Sequence, residues 1–356
     1  MTAPLSVNPS PIVIGGTIAI DHVKTPDAEA TNLLGGSAAY AALAASFFSQ
    51  PVDLIGIIGH DFPREHLDML ERKGVSLAGV ERSQNESFTW SGEYHANMNE
   101  RTTHRVGLNV LENWQVKVPS SAASAPIVVL ANMSPDNQLE MLAQCGIKKL
   151  GAQSTESGDE DSSSSSDQQS TIHNPQSSPR FVIADTMDLW IEIANARLHE
   201  VLPHLDLFVL NEGEARDLAG TSNLVKAGRA LLEKGPRNVV VKLGEFGAML
   251  FSSSSSSHST LNPQHSTLQI FRCSAYPLDT VVDPTGAGDT FLGGMAGYLA
   301  SQGHPPYDVP VLRQAIIHGS MLASFTCEAF STRRMESLGP DELNARIEEF
   351  RSATAW

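Results

Sequence analysis

The sequence predicts an α/β fold in which a mostly parallel sheet is covered by helices on both faces. Short runs of β-branched residues alternate with helical patterns over most of the 356 residues, which is the pattern of βαβ units. Between residues 86 and 110 consecutive extended segments interrupt this alternation. A glycine-rich turn, residues 283–291, comes directly before an apolar helical segment. We therefore expect one α/β domain over residues 1–356 with a small second sheet.

The candidate strands of the main sheet are short and rich in Val, Ile and Leu, at residues 12–16, 52–57, 127–131, 181–184, 207–210 and 239–242. Helices are predicted between and after them, at residues 37–48, 64–73, 135–144, 212–219, 224–234, 287–301, 311–325 and 341–350. Ser134 followed by Pro135 is a helix start signal, and Gly220 ends the helix that follows Asn211.

The extended segments at about 17–34 and 86–110 are predicted to form the small sheet beside the main domain. One interpretation is a lid over a cleft, and the other is an ordinary edge hairpin of the main sheet. Two serine-rich segments, at about 153–178 and 252–267, contain too few apolar residues to bury, and we interpret both as disordered surface insertions.

Composition and charge restrict the function. The net charge of −16 argues against a nucleic acid or an anionic membrane surface as a partner. No apolar run is long enough to span a bilayer, and the N-terminal residues lack the features of a secretory signal, so we expect a soluble, cytoplasmic protein. Three widely spaced cysteines offer neither a disulfide framework nor a CxxC metal site. The GxGxxG pattern of dinucleotide-binding folds and the GxxxxGK[ST] pattern of P-loop proteins do not occur, so the sequence supports neither of these nucleotide sites.

The strongest chemical signal is the segment DPTGAGDTF at residues 283–291. Gly286, Ala287 and Gly288 leave backbone N–H groups uncovered where a helix begins, which makes an anion-binding site. An acid beside bound phosphate is electrostatically unfavourable unless it has a role, and Asp289 is placed to accept a proton from a substrate hydroxyl. The alternative is a purely structural glycine-rich turn with a capping aspartate.

This segment resembles the C-terminal signature of the PfkB, or ribokinase-like, family of carbohydrate and nucleoside kinases. The stretch GGSAAYAA at residues 35–42, followed by VDLIGIIGHDFPREHLDMLERKGV, resembles the N-terminal signature of the family, about 250 residues earlier. The resemblance implies a three-layer α/β/α sandwich with a small β-sheet lid. It also implies transfer of the γ-phosphoryl group from Mg·ATP to a hydroxyl of a sugar, polyol or nucleoside, with the lid excluding water.

The resemblance implies a role for each matching residue at the nucleotide end. Asp289 corresponds to the catalytic base, and the amides of Gly286, Ala287 and Gly288 to the anion hole. Further matches are Asn211 for the phosphates, Glu214 for the hydration shell of Mg²⁺, Lys242, Gly244 and Gly247 along the nucleotide, and His318 near adenosine. Asp283 and Thr285 match positions that hold a monovalent cation in potassium-activated members, so K⁺ dependence is a further option.

At the acceptor end, Asp21 corresponds to the acid that binds two sugar hydroxyls, and Gly35 and Gly36 to the diglycine that lets the sugar approach. Tyr40 stands where ribokinases carry Asn, which puts ribose itself in question. The predicted lid residues that line the pocket or add polar contacts are Phe88, Trp90, Tyr94, Asn97, Asn99 and Arg101. Each of them has packing or solvent exposure as an alternative role.

Several alternatives remain open at this point. The acceptor can be a nucleoside of the adenosine or cytidine type rather than a sugar or polyol. The chain can also be a catalytically silent ligand-binding protein on the same fold, or a scaffold. Lids of the family often pair, so a homodimer through the lid is another option.

Overall fold

The computed structural model describes residues 9–149, 180–254 and 267–355. The insertion predicted at 153–178 lies outside these residues, as does most of the one predicted at 252–267. The described strands are β1 (Ile12–Gly15), β2 (Ala19–Lys24), β3 (Glu29–Gly35), β4 (Val52–Ile58), β5 (Val75–Arg82), β6 (Phe88–Tyr94), β7 (Arg101–Gly107), β8 (Ile127–Leu130), β9 (Phe181–Ala184), β10 (Leu207–Asn211), β11 (Asn238–Lys242), β12 (Ala248–Ser254) and β13 (Thr267–Cys273).

The described helices are α1 (Ser37–Ala45), α2 (Arg64–Arg72), α3 (Pro135–Gln144), α4 (Asp188–Ile193), α5 (Asn195–Val201), α6 (Glu212–Ala219), α7 (Leu224–Glu233), α8 (Ala287–Ser301), α9 (Val309–Thr326), α10 (Arg333–Ser337) and α11 (Pro340–Thr354). Within the described ranges, no helix is long and apolar enough to cross a membrane.

The main sheet has nine strands in the order β13-β12-β11-β10-β9-β8-β1-β4-β5. The seven strands from β11 to β5 are parallel, and β12 and β13 add an antiparallel edge. Successive residues of β1 face opposite sides: Ile12 and Ile14 pack with α1, α8 and α9, whereas Val13 packs with α3 and α5. The expected sheet between two helical layers is therefore confirmed.

The segments expected to leave the main sheet form a separate four-stranded sheet in the order β3-β2-β6-β7. The central pair, β2 and β6, is parallel, and the two outer pairs are antiparallel. The interpretation as an edge hairpin of the main sheet is wrong, because none of these strands pairs with it. We call this four-stranded sheet the lid. One of its faces packs through Val23, Leu33 and Tyr94 against Phe330 of the main domain.

The start predicted for the second serine-rich insertion, at about residue 252, is wrong, because β12 extends to Ser254. Ser252 and Ser253 continue β12, where they pair with Gln269 and Leu268 of β13. Serine-rich composition conceals this strand because the stabilising pairs come from a partner strand on the far side of the insertion. The edge strands β5, β12 and β13 and the short helices α4, α5 and α10 were not predicted either.

Candidate active site

Polar side chains gather where the parallel strands end. Asp185 follows β9, Asn211 ends β10 and Lys242 ends β11, and Asn211 is in register with Lys242. The carboxyl ends of parallel strands lie at one edge of a sheet, the usual place for a ligand in an open α/β fold. Helix α8 begins at the same edge. Its second residue, Gly288, is so near Lys242 that a Cβ added to the glycine would lie 3.1 Å from Lys242 Nζ.

The first turn of α8 is left without a side-chain cap. Its N-cap, Gly286, has a φ of 77°, and no side chain accepts from the first amides. The Ala287 amide donates to the Pro284 carbonyl oxygen at 3.2 Å. Among described residues, the amides of Gly286, Gly288 and Asp289 have no acceptor. Two of the three expected anion-hole amides are thus available to an anion, and the helix dipole adds positive potential there.

Asp289 occupies the third position of α8, part-buried in the cleft. Burial first, and then the nearby charge of Asp185, raise the pKa of this carboxyl to about 7, while Lys242 and Arg101 act in the opposite direction. A carboxylate with a pKa near neutrality is suited to accepting a proton and releasing it again. The sequence could not give this value, which depends on three residues distant in the chain.

Lys242 connects the acids of the site. Its Nζ lies 3.0 Å from Asp185 Oδ2. Burial works against the charged form of Lys242, but the charges of Asp185, Glu214 and Asp289 outweigh it and raise the pKa to about 12. The lysine is therefore a permanent cation beside the free amides of α8.

Asn211 and Glu214 form a capping box at the start of α6. The Asn211 side chain accepts from the Glu214 amide at 2.9 Å, and Glu214 Oε2 accepts from the Asn211 amide at 2.7 Å. Burial and the charge of Asp185 raise the pKa of Glu214 to about 8, although Lys242 opposes the shift. The Asn211 and Glu214 pair thus has a structural role of its own, and among the described residues Glu214 Oε1 makes no hydrogen bond.

Sequence reasoning missed Asp185. Its side chain is buried, pairs with Lys242 and accepts from the Thr186 amide at 2.7 Å. The available signal was an aspartate directly after a fully buried four-residue strand, at the end of the sheet where the other site residues were expected. With Glu214 it supplies carboxylate oxygens, the ligand type that Mg²⁺ prefers.

The turn between β11 and β12 borders the same cleft. Gly244 and Gly247 have φ values of 55° and 94°, and a Cβ on Gly247 would lie 2.0 Å from the Cys273 carbonyl oxygen. Close packing against the end of β13 therefore requires glycine at Gly247. Asn99 of the lid donates from Nδ2 to Glu245 Oε1 of this turn at 3.0 Å.

The expected acceptor residues come together under the lid. Asp21 is 5% exposed, and a Cβ on Gly35 would lie 2.1 Å from its Cγ. Gly36 has a φ of 91° and precedes α1, where a Cβ would lie 2.4 Å from the Thr17 carbonyl oxygen. Burial and the charges of Asp283 and Asp289 raise the pKa of Asp21 to about 8. In the described ranges no side chain hydrogen-bonds to the Asp21 carboxylate, so its oxygens are available to a ligand.

Tyr40 packs against the glycine-rich turn. A Cβ on Gly286 would lie 2.3 to 2.6 Å from three carbons of the Tyr40 ring. The ring is 2% exposed, and its hydroxyl has no hydrogen-bond partner among described residues. The residue expected to contact the acceptor thus also supports the turn that carries the free amides.

The lid directs several expected residues toward the cleft. Asp21 is in register with Trp90, and Tyr94 with Arg101, so all four side chains lie on one face of the sheet together with Phe88. The Trp90 ring lies along its own strand, because a Cβ on Gly92 would be 2.3 Å from two of its carbons. The indole thus presents a flat surface on the cleft side of the lid.

Asp283 and Thr285 lie just before the free amides. The Asp283 carboxylate is fully buried and accepts from the amides of Thr285 at 2.9 Å and Ser331 at 3.1 Å. Burial raises its pKa. In the described part of the chain no Lys or Arg pairs with it, so a cation held there would offset a buried charge. Thr285 Oγ1 also donates to the Tyr94 hydroxyl of the lid at 3.3 Å.

The structure does not bring His318 to this site. Its ring stacks on Tyr298, with centroids 4.0 Å apart, and meets Phe48 edge-on. Tyr298 lies more than two turns along α8 from Asp289. We therefore leave His318 out of the site, and its packing against α8 is the physical reason for its position.

The buried charge of Asp21 gives a pH-dependent stability. The carboxyl has an ordinary pKa of 3.8 and a folded value of about 8. The folded chain therefore binds more protons than the unfolded chain between these values, and stability falls as the pH rises through this window. We expect Asp21→Asn to unfold like the wild type near pH 4 and at a higher temperature at pH 8. The largest expected difference in the free energy of unfolding is about 6 kcal/mol, at about 1.4 kcal/mol per pKa unit. Melting curves of the wild type and Asp21→Asn between pH 4 and pH 8 test this prediction. A difference in melting temperature that is the same at every pH would contradict it.

The family model described as pfkB family carbohydrate kinase matches residues 12–337. A cytidine kinase of Thermococcus kodakarensis is 24% identical over 295 residues, which cover 83% of this chain and 90% of that protein. Solved structures of the same fold include an E. coli structure assigned as ribokinase II in complex with ATP and Mg²⁺. It is 17% identical, has a TM-score of 0.69, and covers 96% of this chain and 99% of its own. The Methanocaldococcus jannaschii nucleoside kinase is 15% identical, has a TM-score of 0.65, and covers 96% of this chain and 99% of its own.

Proposed function

Because this chain belongs to the pfkB family of carbohydrate kinases and is thus a phosphotransferase with an alcohol group as acceptor, we propose that it transfers the γ-phosphoryl group of Mg·ATP to a hydroxyl of a sugar, polyol or related small molecule. The observation that carries this proposal is Asp289, with a pKa of about 7, beside the uncapped amides of α8. That pairing supplies a base for a hydroxyl and an anion site for the group it attacks.

The nucleotide would bind along the ends of β10 and β11. Lys242 and the amides of Gly286 and Gly288 would hold the phosphates, and the glycine turn at 244–247 would border the nucleotide. The structural relative that contains ATP and Mg²⁺ supports this use of the fold. Glu214, through water, and Asp185 would hold Mg²⁺, which neutralises phosphate charge when bound.

The acceptor would lie between Asp21, the diglycine and the lid. The unpaired Asp21 carboxylate would accept from two acceptor hydroxyls, and Gly35 and Gly36 would let the acceptor approach the backbone. Asp283 and the Thr285 carbonyl would hold a monovalent cation, which would fix the turn before α8 without touching substrate. The lid could also pair two copies of the chain, since every side chain of β7 except Gly107 is exposed.

A nucleoside is the second candidate acceptor. The flat Trp90 indole on the cleft side of the lid favours it, because bases stack on aromatic rings. The cytidine kinase that matches 83% of this chain supports the same choice.

The experiment is a screen of ATP consumption with ribose, fructose, inositol, adenosine and cytidine, in K⁺ and in tetramethylammonium. We expect turnover with at least one acceptor and a faster rate in K⁺. For that acceptor, assayed above pH 8 so that Asp21 is ionised, Asp21→Asn should raise KM by about tenfold or more and leave nucleotide Kd unchanged, because a charge-assisted hydrogen bond is lost. Absence of turnover with every hydroxyl acceptor would favour the silent binding protein, and equal rates in both cations would remove the K⁺ site.

A further inference from the structure

We propose that Arg101 is a catalytic residue carried by the lid, whose guanidinium contacts the γ-phosphoryl group during transfer. This inference rests on the kinase function proposed above. It goes beyond acceptor binding, because it gives the lid a part in the chemical step.

The pairing of the lid strands sets the direction of Arg101. Tyr94 and Arg101 are directly opposite each other in the antiparallel pair β6 and β7, so their side chains lie on the same face. The Tyr94 hydroxyl identifies that face, because it accepts from Thr285 Oγ1 at 3.3 Å, one residue before Gly286. Arg105 is opposite Ser91 and therefore lies on the other face.

Two contacts hold this end of the lid over the cleft. Tyr94 meets the turn before α8, and Asn99 meets Glu245 of the turn between β11 and β12. Arg101 lies directly opposite Tyr94 and two residues after Asn99 on the same hairpin. The residues that the lid contacts, Thr285 and Glu245, belong to the two segments proposed to bind the phosphates and the nucleotide. Arg101 therefore faces the space where the γ-phosphoryl group would lie.

The charges of the cleft favour a free cation at this place. Asp289 is faced by Asp21 from the lid, Asp185 after β9, Lys242 from β11 and Arg101. Lys242 is already paired with Asp185, whereas Arg101 makes no ion pair or side-chain hydrogen bond with any residue in the described ranges. The phosphates of a nucleotide would add further negative charge. A planar guanidinium with two parallel N–H groups matches the geometry of phosphate oxygens.

The step balances without a further reactant. A bond forms between the acceptor oxygen and the γ-phosphorus, and the bond from that phosphorus to the bridging oxygen breaks. The hydroxyl proton goes to Asp289, and the nucleoside diphosphate keeps the bonding electron pair. Arg101 would stabilise the charge on the oxygens of the group in transfer, a contribution worth about 10³ to 10⁵ in rate where an arginine finger acts.

The test compares Arg101→Met with Arg105→Met, which removes the same charge from the same strand on the opposite face. Each is assayed with the acceptor found in the screen. We expect Arg101→Met to lower kcat by about 10²-fold or more at saturating substrates, Arg101→Lys to recover part of the loss, and Arg105→Met to stay within about threefold of wild type. The acid limb of kcat/KM should also move to higher pH in Arg101→Met alone, because Arg101 lowers the pKa of Asp289.

Equal kcat and pH profiles for the two methionine variants would overturn the proposal. A rise in acceptor KM with kcat unchanged would overturn it as well, because Arg101 would then bind only the acceptor. A wild type without turnover would instead overturn the kinase function itself. Melting curves check that each variant is folded. If Arg101→Met is not folded, the kcat of Arg101→Lys tests the proposal instead.

Discussion

Asp289→Asn should leave a folded protein that binds ATP and has lost nearly all phosphoryl transfer. Asparagine has almost the same size and still accepts a hydrogen bond, so the first turn of α8 should keep its amides in place. Its amide cannot accept the hydroxyl proton. General-base catalysis is typically worth about 10²- to 10⁴-fold, and the loss should appear in kcat. Nucleotide Kd should change little or decrease, since a negative charge near the phosphates is removed.

The wild type supplies the matching pH dependence. Asp289 must be deprotonated to act as the proposed base, and its pKa in the free protein is about 7. We therefore expect kcat/KM to fall as the pH drops below 7, approaching tenfold per unit. Asp279→Asn is the charge-matched control, because Asp279 is an exposed acid outside the site. If Asp289→Asn melts like the wild type and retains more than about a tenth of its kcat, Asp289 is not the base.

The sequence predicted those parts of the fold whose signals are local. Helix α8 was predicted at its observed bounds, 287–301, because a glycine turn and a long apolar segment mark its start and course. The start of α3 was likewise predicted from Ser134, whose side chain accepts from the Asn137 amide at 3.2 Å. Strand β12 was missed because its serines reveal strand structure only through their pairing with β13.

The candidate site shows the same division. Each motif residue could be named from its segment, but the pKa of Asp289 depends on Asp185, Lys242 and Arg101, which lie on three other elements. Asp185 belongs to no long motif, so only the end of its strand indicated it. The direction of Arg101 required the pairing of β6 with β7, since a shift of one residue would turn it to the other face.

The two resembling signatures meet directly in the structure. Tyr40 of α1 lies against Gly286 at the start of α8. Farther along the same two helices, a Cβ on Gly293 would lie 2.1 Å from the Ala41 carbonyl oxygen, and one on Gly297 would lie 2.5 Å from that of Ala45. Glycine therefore lets the helix backbones approach closely at these two positions, which positions the free amides of α8 relative to the diglycine before α1.

This packing leads us to expect a large loss from Gly286→Ala. The φ of 77° costs an alanine about 1–2 kcal/mol, and the added Cβ would overlap the Tyr40 ring, for which overpacking costs about 1–3 kcal/mol more. Relief of the overlap must move either the ring or the turn that presents the amides. We expect about 2–5 kcal/mol less stability and a fall in kcat of about 10²-fold, comparable with losing one oxyanion donor.

Gly220→Ala is the control for backbone strain alone, because Gly220 has a φ of 64° and nothing within 4 Å of an added Cβ. It should cost only about 1–2 kcal/mol and leave kcat unchanged. The double variant Tyr40→Ala with Gly286→Ala should lose less stability than the two single variants summed, because the small side chain removes the overlap while the strain remains. Chemical denaturation of the wild type, Tyr40→Ala, Gly286→Ala and the double variant measures this coupling energy between the two positions. Strictly additive losses, or a Gly286→Ala enzyme with the wild-type kcat, would mean that the Tyr40 ring does not support the turn.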